Sequence, residues 1–377
     1  MRIQVAEDLH ETRAVIKVVG IGGAGGNAIN RMAEAGLQGV ELIAANSDAQ
    51  DLRRSQAAVR IQVGERLTKG LGVGGDPSKG RLAMLESEDQ IREILDGADL
   101  VFITAGMGGG TGTGGAPVVA GIAKDIGALT IGVVTRPFDF EKMGRANLAE
   151  QGIHDMRQNV DTLLVIPNQR LLDVVDTDAT ADTAFRMADD VLRKSIQSIS
   201  DVITRAGQIN MDMNDIKAIM KDAGEALIGM GEATGTGRAI KAAKAAVHSP
   251  LLENVVMDGA KGLIVNITGR KNTLKLSEIE EAMALITGAA SPDAKTKFGA
   301  VYDDSLGDSI RITVIATGFP AKRGNRGMFR PGARTSLSGG RSPLTGAFDD
   351  APDSVAASSP DDWSKPAFMR IKIRKLK

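Results

Sequence analysis

Apolar residues fall along this chain in two rhythms, and their alternation lays out an architecture. Ala14-Val-Ile-Lys-Val-Val-Gly20 and Val40-Glu-Leu-Ile-Ala-Ala-Asn46 are short apolar runs of the buried-strand kind. Between them Ala28–Ala35 reads as a helix stopped by Gly36. Further strand-like runs at Leu100–Thr104, Leu129–Thr135 and Thr162–Pro167 are separated by helical patterns at Ser78–Leu95, Val118–Ile126 and Ala146–Asn159. Strands that alternate with helices predict an α/β fold, a doubly wound and mostly parallel sheet covered on both faces, over residues 14–180.

From Ala181 to Arg205 no glycine or proline interrupts the chain, and Phe185, Ala188, Val191, Leu192, Ile196, Ile199 and Ile203 recur at spacings of three and four. That is one apolar stripe on one long helix, assigned to residues 181–207. Beyond it, helices at Asp215–Ile228 and Gly237–His248, a strand at Gly262–Thr268, a helix at Ser277–Thr287 and strands at Lys297–Tyr302 and Ser309–Thr317 predict a second, α+β domain with a small mixed sheet, residues 208–319. Residues 1–13 read as a disordered N-terminus. Residues 320–360, rich in Gly, Ser, Pro, Ala, Arg and Asp, read as a disordered linker, spanning roughly 35 Å root-mean-square.

Composition narrows the chemistry. The 377 residues are 42% hydrophobic and 25% charged, ordinary for a soluble protein, with a net charge of −1. With 3% aromatic residues the cores must be built from Val, Ile, Leu, Ala and Met. There is no cysteine, which excludes disulfides, thiolate metal sites and thiol nucleophiles. His10, His154 and His248 have no metal-ligand spacing, so no protein metal site is expected. No apolar run reaches membrane-span length and Met1–Thr12 lacks a signal-peptide core, so a cytoplasmic location is expected.

The candidate chemistry lies in glycine. Thr104–Pro117 reads T-A-G-M-G-G-G-T-G-T-G-G-A-P, with seven glycines in fourteen residues between a strand and a helix. Such a turn lets backbone N–H groups close around an anion, with the helix N-terminus behind them. Thr111 and Thr113 add hydroxyls, Pro117 suits the first turn of the helix, and so many glycines imply a closely approaching ligand. Gly20-Ile-Gly-Gly-Ala-Gly25 is a second glycine turn after a strand, and Gly70-Leu-Gly-Val-Gly-Gly-Asp-Pro77 a third. The first of these alone would fit a nicotinamide oxidoreductase. Against that stand Asn46-Ser-Asp48 in place of a lone ribose-binding acid, and the richer loop at 106–115. Two glycine loops at one sheet edge can surround a triphosphate. No G-x-x-x-x-G-K-[ST] is present, which excludes P-loop chemistry.

Gly108–Gly114, G-G-G-T-G-T-G, closely resembles the signature of the tubulin/FtsZ family, and the resemblance extends from about Val15 to Phe319. It implies a GTPase that assembles head-to-tail into filaments of the bacterial division ring at mid-cell, with GTP/GDP and Mg²⁺ as cofactors. It assigns Gly22, Gly23 and Asn27 to a first phosphate loop. Asn46 and Asp48 fall near the γ-phosphate and Mg²⁺, and Gly74 in a third loop. Gly106, Gly108, Gly109, Gly110, Thr111 and Gly112 match the phosphate cradle. Glu141 and Arg145 match the ribose-contacting pair, Asn168 a residue at the sugar or base, and Phe185 and Asp189 the pair that stacks on and hydrogen-bonds guanine. A carboxylate accepts from guanine N1–H and the 2-amino group together, which adenine cannot offer. By itself, Asp189 reads as a solvated helix face.

Asn210-Met-Asp212-Met-Asn-Asp215 matches the family's N-x-D-x-x-D loop, which enters the next subunit's nucleotide site and orients water. Locally the same residues read as a helix cap on Asn214 or Asp215. Departures from the family pattern stand at Gly115, Gln169, Ala206 and Asn214, leaving the hydrolysis rate open, with a GTP-binding scaffold of little turnover as the alternative. Asp361, Pro366, Ala367 and Phe368 resemble the family's C-terminal peptide for division partners and membrane tethers, residues 361–377. Six basic residues follow from Lys365 onward, and Met369, Ile371 and Ile373 alternate with Arg370, Lys372 and Arg374. That end fits an edge-strand partner, an anionic membrane surface or a merely solvated tail. Nucleic acid is not expected as a partner.

Overall fold

The structure is a computed structural model describing residues 14–174, 180–205, 207–252 and 259–319. The expectations for residues 1–13, for Ala206 and for the linker and tail from 320 onward lie outside the described residues.

β1 (Ile16–Ile21), α1 (Gly22–Glu34), β2 (Glu41–Asn46), α2 (Ala49–Arg53), β3 (Val59–Gln62), α3 (Glu65–Thr68), α4 (Pro77–Glu86), α5 (Glu88–Leu95), β4 (Leu100–Gly106), α6 (Thr111–Asp125), β5 (Leu129–Arg136), α7 (Met143–Asn159), β6 (Thr162–Pro167) and α8 (Asn168–Leu171) form the first lobe. α9 (Ala181–Thr204) crosses to the second, made of β7 (Gly207–Ile209), α10 (Met213–Met220), β8 (Gly224–Ala233), α11 (Arg238–Val247), β9 (Gly262–Gly269), α12 (Leu276–Gly288), β10 (Lys295–Tyr302) and β11 (Ile310–Thr317). The strand order is β3-β2-β1-β4-β5-β6-β8-β11-β9-β10-β7. β1 to β6 pair only in parallel. β8 and β9 run antiparallel to β11, while β9 and β10 run parallel, so the second lobe is mixed as expected. The lobes share one sheet through a short parallel pairing of Thr162–Leu164 with Gly224–Ala226.

Apolar side chains account for both faces. Val18, Ile29, Met32, Phe102, Ile131, Leu192, Ile196 and Ile199 are buried between the sheet and α1 and α9. Ile103, Met84, Ile91, Val119, Val134, Ile153 and Met156 fill the opposite face under α4 to α7. A third core of Ala242, Ala246, Leu263, Val265, Ile286, Ile312 and Val314 lies beneath α11 and α12. At about 25 cal/mol per Å² these contacts hold the strand ends that carry the site.

Four readings need correction. The helix expected at Asp215–Ile228 ends at Met220, and Gly224–Ala233 is a strand. Asp222 and Gly224 take positive φ there, and the residues after them pair antiparallel with β11. Ser78–Leu95 is two helices separated at Ser87. Pro117 sits inside α6, well past its first turn, because the helix begins at Thr111 within the glycine motif. Likewise α1 begins at Gly22, ahead of the expected Ala28. The central helix falls where the periodicity places it, but Phe185, at its start, leaves the buried stripe and is 42% exposed.

Candidate nucleotide site

Parallel strands deliver their carboxyl ends to one edge, and the site is built there. The order 3-2-1-4-5-6 reverses between β1 and β4, the place where open α/β sheets bind ligands. A cavity of about 530 Å³ opens at that edge. Of the expected nucleotide-binding residues, all but Asn27 and Gly108 line it: Gly22, Gly23, Asn46, Asp48, Gly74, Gly106, Gly109, Gly110, Thr111, Gly112, Glu141, Arg145, Asn168, Phe185 and Asp189. Asn27 lines a smaller adjoining cavity of about 180 Å³. Gly108 stands behind the wall, its N–H donating to Thr113 Oγ1 at 2.9 Å.

The glycines do two jobs, and ligand approach is one of them. Gly22 has φ +71, and a Cβ there would lie 2.9 Å from the Gly112 nitrogen, so the two loops meet as bare backbone. Gly114 faces away from the cavity: a Cβ would fall 1.9 Å from the Pro77 carbonyl oxygen, so α4 packs on α6 backbone to backbone. Gly115 makes room for the buried Met84, whose Cε would be 2.5 Å from an alanine Cβ. Gly114 and Gly115 therefore serve helix packing within the same motif.

Side chains fix the loops. Ser47, missed from the sequence, shares a 2.7 Å hydrogen bond with Thr111 and ties the β2 loop to the cradle. Asp48 caps α2, accepting from Gln50 N–H at 2.8 Å and Asp51 N–H at 3.3 Å. Glu141 accepts from the Phe138 N–H at 2.9 Å and pairs with Arg145, the expected i,i+4 couple. Gln169, in place of the family's usual acid, accepts from the Asp139 N–H at 3.1 Å and anchors the same loop. Lys142 holds φ 80° and ψ 154°, a region essentially restricted to glycine that costs about 1–3 kcal/mol.

The base end is aromatic. Phe138 and Phe140 stack with centroids 5.1 Å apart, and both meet Phe185 edge-on, at 5.4 and 6.1 Å. Only Phe185 was foreseen. Neighbouring Asp189 has its carboxyl pushed up to about 7 by burial, with Arg31 pulling it partly back. Asn168 Oδ1 is buried without a hydrogen-bond partner. An orphaned acceptor facing a cavity suits a ligand donor, so the residues present fit a nucleoside. Asn46 and Asp48, which the resemblance puts near Mg²⁺, both line the cavity and could hold a cation there. No group of three metal-binding side chains occurs among the described residues.

The loop at 210–215 is elsewhere. None of Asn210, Asp212 and Asp215 lines the cavity. The α10 cap is Asp212, in place of the expected Asn214 or Asp215: its Oδ1 accepts from the Asp215 N–H at 2.8 Å. Asn210 Oδ1 accepts from the Gly207 N–H at 2.9 Å, and Asp215 pairs with Lys297 at 2.6 Å.

Known structures share this fold. The FtsZ of M. jannaschii, solved as an empty dimer, is 43% identical, with a TM-score of 0.79 over 82% of this chain and 90% of that one. Two Haloferax volcanii proteins share the fold at lower identity. CetZ2, a GTPγS-bound protofilament, matches at 18% identity and TM-score 0.68 over 81% of this chain and 94% of its own. CetZ1, a GDP-bound monomer, matches at 20% and 0.70 over 81% and 95%. Residues 15–176 match the GTPase domain of the tubulin/FtsZ family and residues 224–320 the FtsZ family's C-terminal domain, so the chain belongs to the tubulin/FtsZ family.

Proposed function

We propose that this chain binds GTP with Mg²⁺ and hydrolyses it at the junctions of head-to-tail filaments that form a bacterial division ring. The observation that carries this is the distance between the cavity and loop 210–215. α9 measures it: Asp189 lines the cavity, and Val202, thirteen residues on, accepts from the Met211 N–H beside Asp212. At about 1.5 Å per residue that is roughly 20 Å. β6 puts the far end of α10 at the opposite edge as well. Its carboxyl end leads to Asn168 in the cavity, and Thr162 at its amino end donates to the carbonyl of Met220, the last residue of α10. Six strand residues again span roughly 20 Å.

Asp212 therefore cannot reach its own chain's triphosphate. A second copy stacked with its amino edge on this carboxyl edge brings Asp212 and Asp215 to the γ-phosphate, where a carboxylate orients the attacking water in line. Backbone N–H groups of the glycine loop take the charge that develops on the phosphoryl oxygens. Such heterologous contacts generate open filaments. One exposed leucine supports a contact: Leu71, at the cavity rim, is 84% exposed. The dimer and protofilament described for the similar structures agree with assembly. The tail at 361–377 is proposed to carry division partners and membrane tethers, with its basic end on an anionic surface, and the location is cytoplasmic, at mid-cell.

The test is phosphate release from GTP against protein concentration, for wild type and Asp212→Ala. The reading expects little release below a threshold, a linear rise above it, and a loss of at least about a hundredfold in the variant with GTP affinity retained. Constant activity per chain under dilution would end it.

A further inference from the structure

We propose that Lys297, on β10, is a positioning residue of the shared site: its ammonium fixes the Asp215 carboxylate and offsets half the negative charge that loop 210–215 carries to the neighbour's triphosphate. This rests on the shared-site reading above. Lys297 Nζ lies 2.6 Å from Asp215 Oδ1, across 82 residues of sequence, while the Asp215 N–H is held by Asp212. One cation and two carboxylates thus form a single cluster at the start of α10. The hydrogen bond from Lys297 holds the Asp215 carboxyl below its ordinary range, and Asp215, followed by Asp212, holds the Lys297 ammonium above its own.

The electrostatic problem is general. Two carboxylates brought to a polyphosphate repel it, and the repulsion grows as the junction sheds water. The α10 N-terminus offsets part of this. Lys297 offsets more, and because it stands on a strand of the second lobe it orients the loop without belonging to it. In an isolated chain the pair is largely exposed and contributes little to folding. Its effect is confined to the junction, where water is excluded.

Lys297→Met, Lys297→Arg and the pair Lys297→Met with Asp215→Asn test this. In dilute chains GTP affinity and thermal midpoint should match wild type. In assembled chains Lys297→Met should lower kcat roughly tenfold with KM little changed, and Lys297→Arg should restore it. Against an Asp215→Asn background the Lys297→Met loss should largely vanish, because the lysine acts through that carboxylate. Wild-type kcat in Lys297→Met, or an equal loss in both backgrounds, would overturn the inference while an inactive Asp212→Ala left the shared site standing. Full activity in Asp212→Ala would instead remove the shared site itself.

Discussion

The carboxyl edge of the sheet and the loop at 210–215 are built from different materials. The cavity is largely backbone: Gly22, Gly106, Gly109, Gly110 and Gly112 present peptide groups fixed by strands and helix starts. The loop is side chains: Asp212 and Asp215, joined to each other and to Lys297, partly exposed and outside any cavity. Backbone can bind phosphate in a single chain because its donors are already fixed. Exposed carboxylates do no chemistry until something brings them a substrate. On the proposed reading, binding is complete in one copy and hydrolysis requires two.

The sharpest way to break that division is complementation. Asp212→Ala keeps the cavity, and Asp189→Ala keeps the loop. Each alone should be nearly inactive, and mixing should recover phosphate release, because one junction type then joins an intact cavity to an intact loop. No recovery at any ratio would mean that the two regions do not meet between chains. Next in size is pH. The Asp189 carboxyl titrates at about 7 in the nucleotide-free chain, and guanine N–H donors favour its ionised form. Binding therefore releases a proton, and GTP affinity should fall up to about tenfold per unit as pH drops below 7, levelling above it. Calorimetry with Asp189→Asn should show a flat profile. The nucleotide-free chain shows the opposite sign: a raised carboxyl stabilises the fold in its protonated form, so this contribution is lost as pH rises through 7. Smallest is Leu71→Ala, which brings no charge to the cavity rim and should raise the assembly threshold by about tenfold, the value of one buried leucine. Light scattering reads it directly.

The phosphate half of the site was legible because it is made of sequence-local turns. The family resemblance named the residues that line the cavity, and glycine spacing marks where backbone must come close. It could not say which glycines face a ligand, since Gly114 is needed by the Pro77 carbonyl, a contact made only in the folded chain. Ser47, Phe138 and Phe140 went unseen for the same reason: a hydroxyl bond to Thr111 and an aromatic cluster with Phe185 join distant segments. Periodicity located the 24-residue α9 but misread Gly224–Ala233, whose apolar content suits either rhythm until β11 pairs with it. Lys297 carried no local mark at all.

The rigid α9 has a mechanical consequence. One end, at Asp189, lines the cavity, and the other, at Val202, holds the Met211 N–H beside Asp212. In the filament proposed above, copies of the chain would form a series of stiff struts linked by nucleotides. Tension along it loads the phosphate links before the struts. Cutting a link by hydrolysis leaves every strut whole, so the pieces released are undamaged parts, ready to be strung again once fresh GTP is fitted.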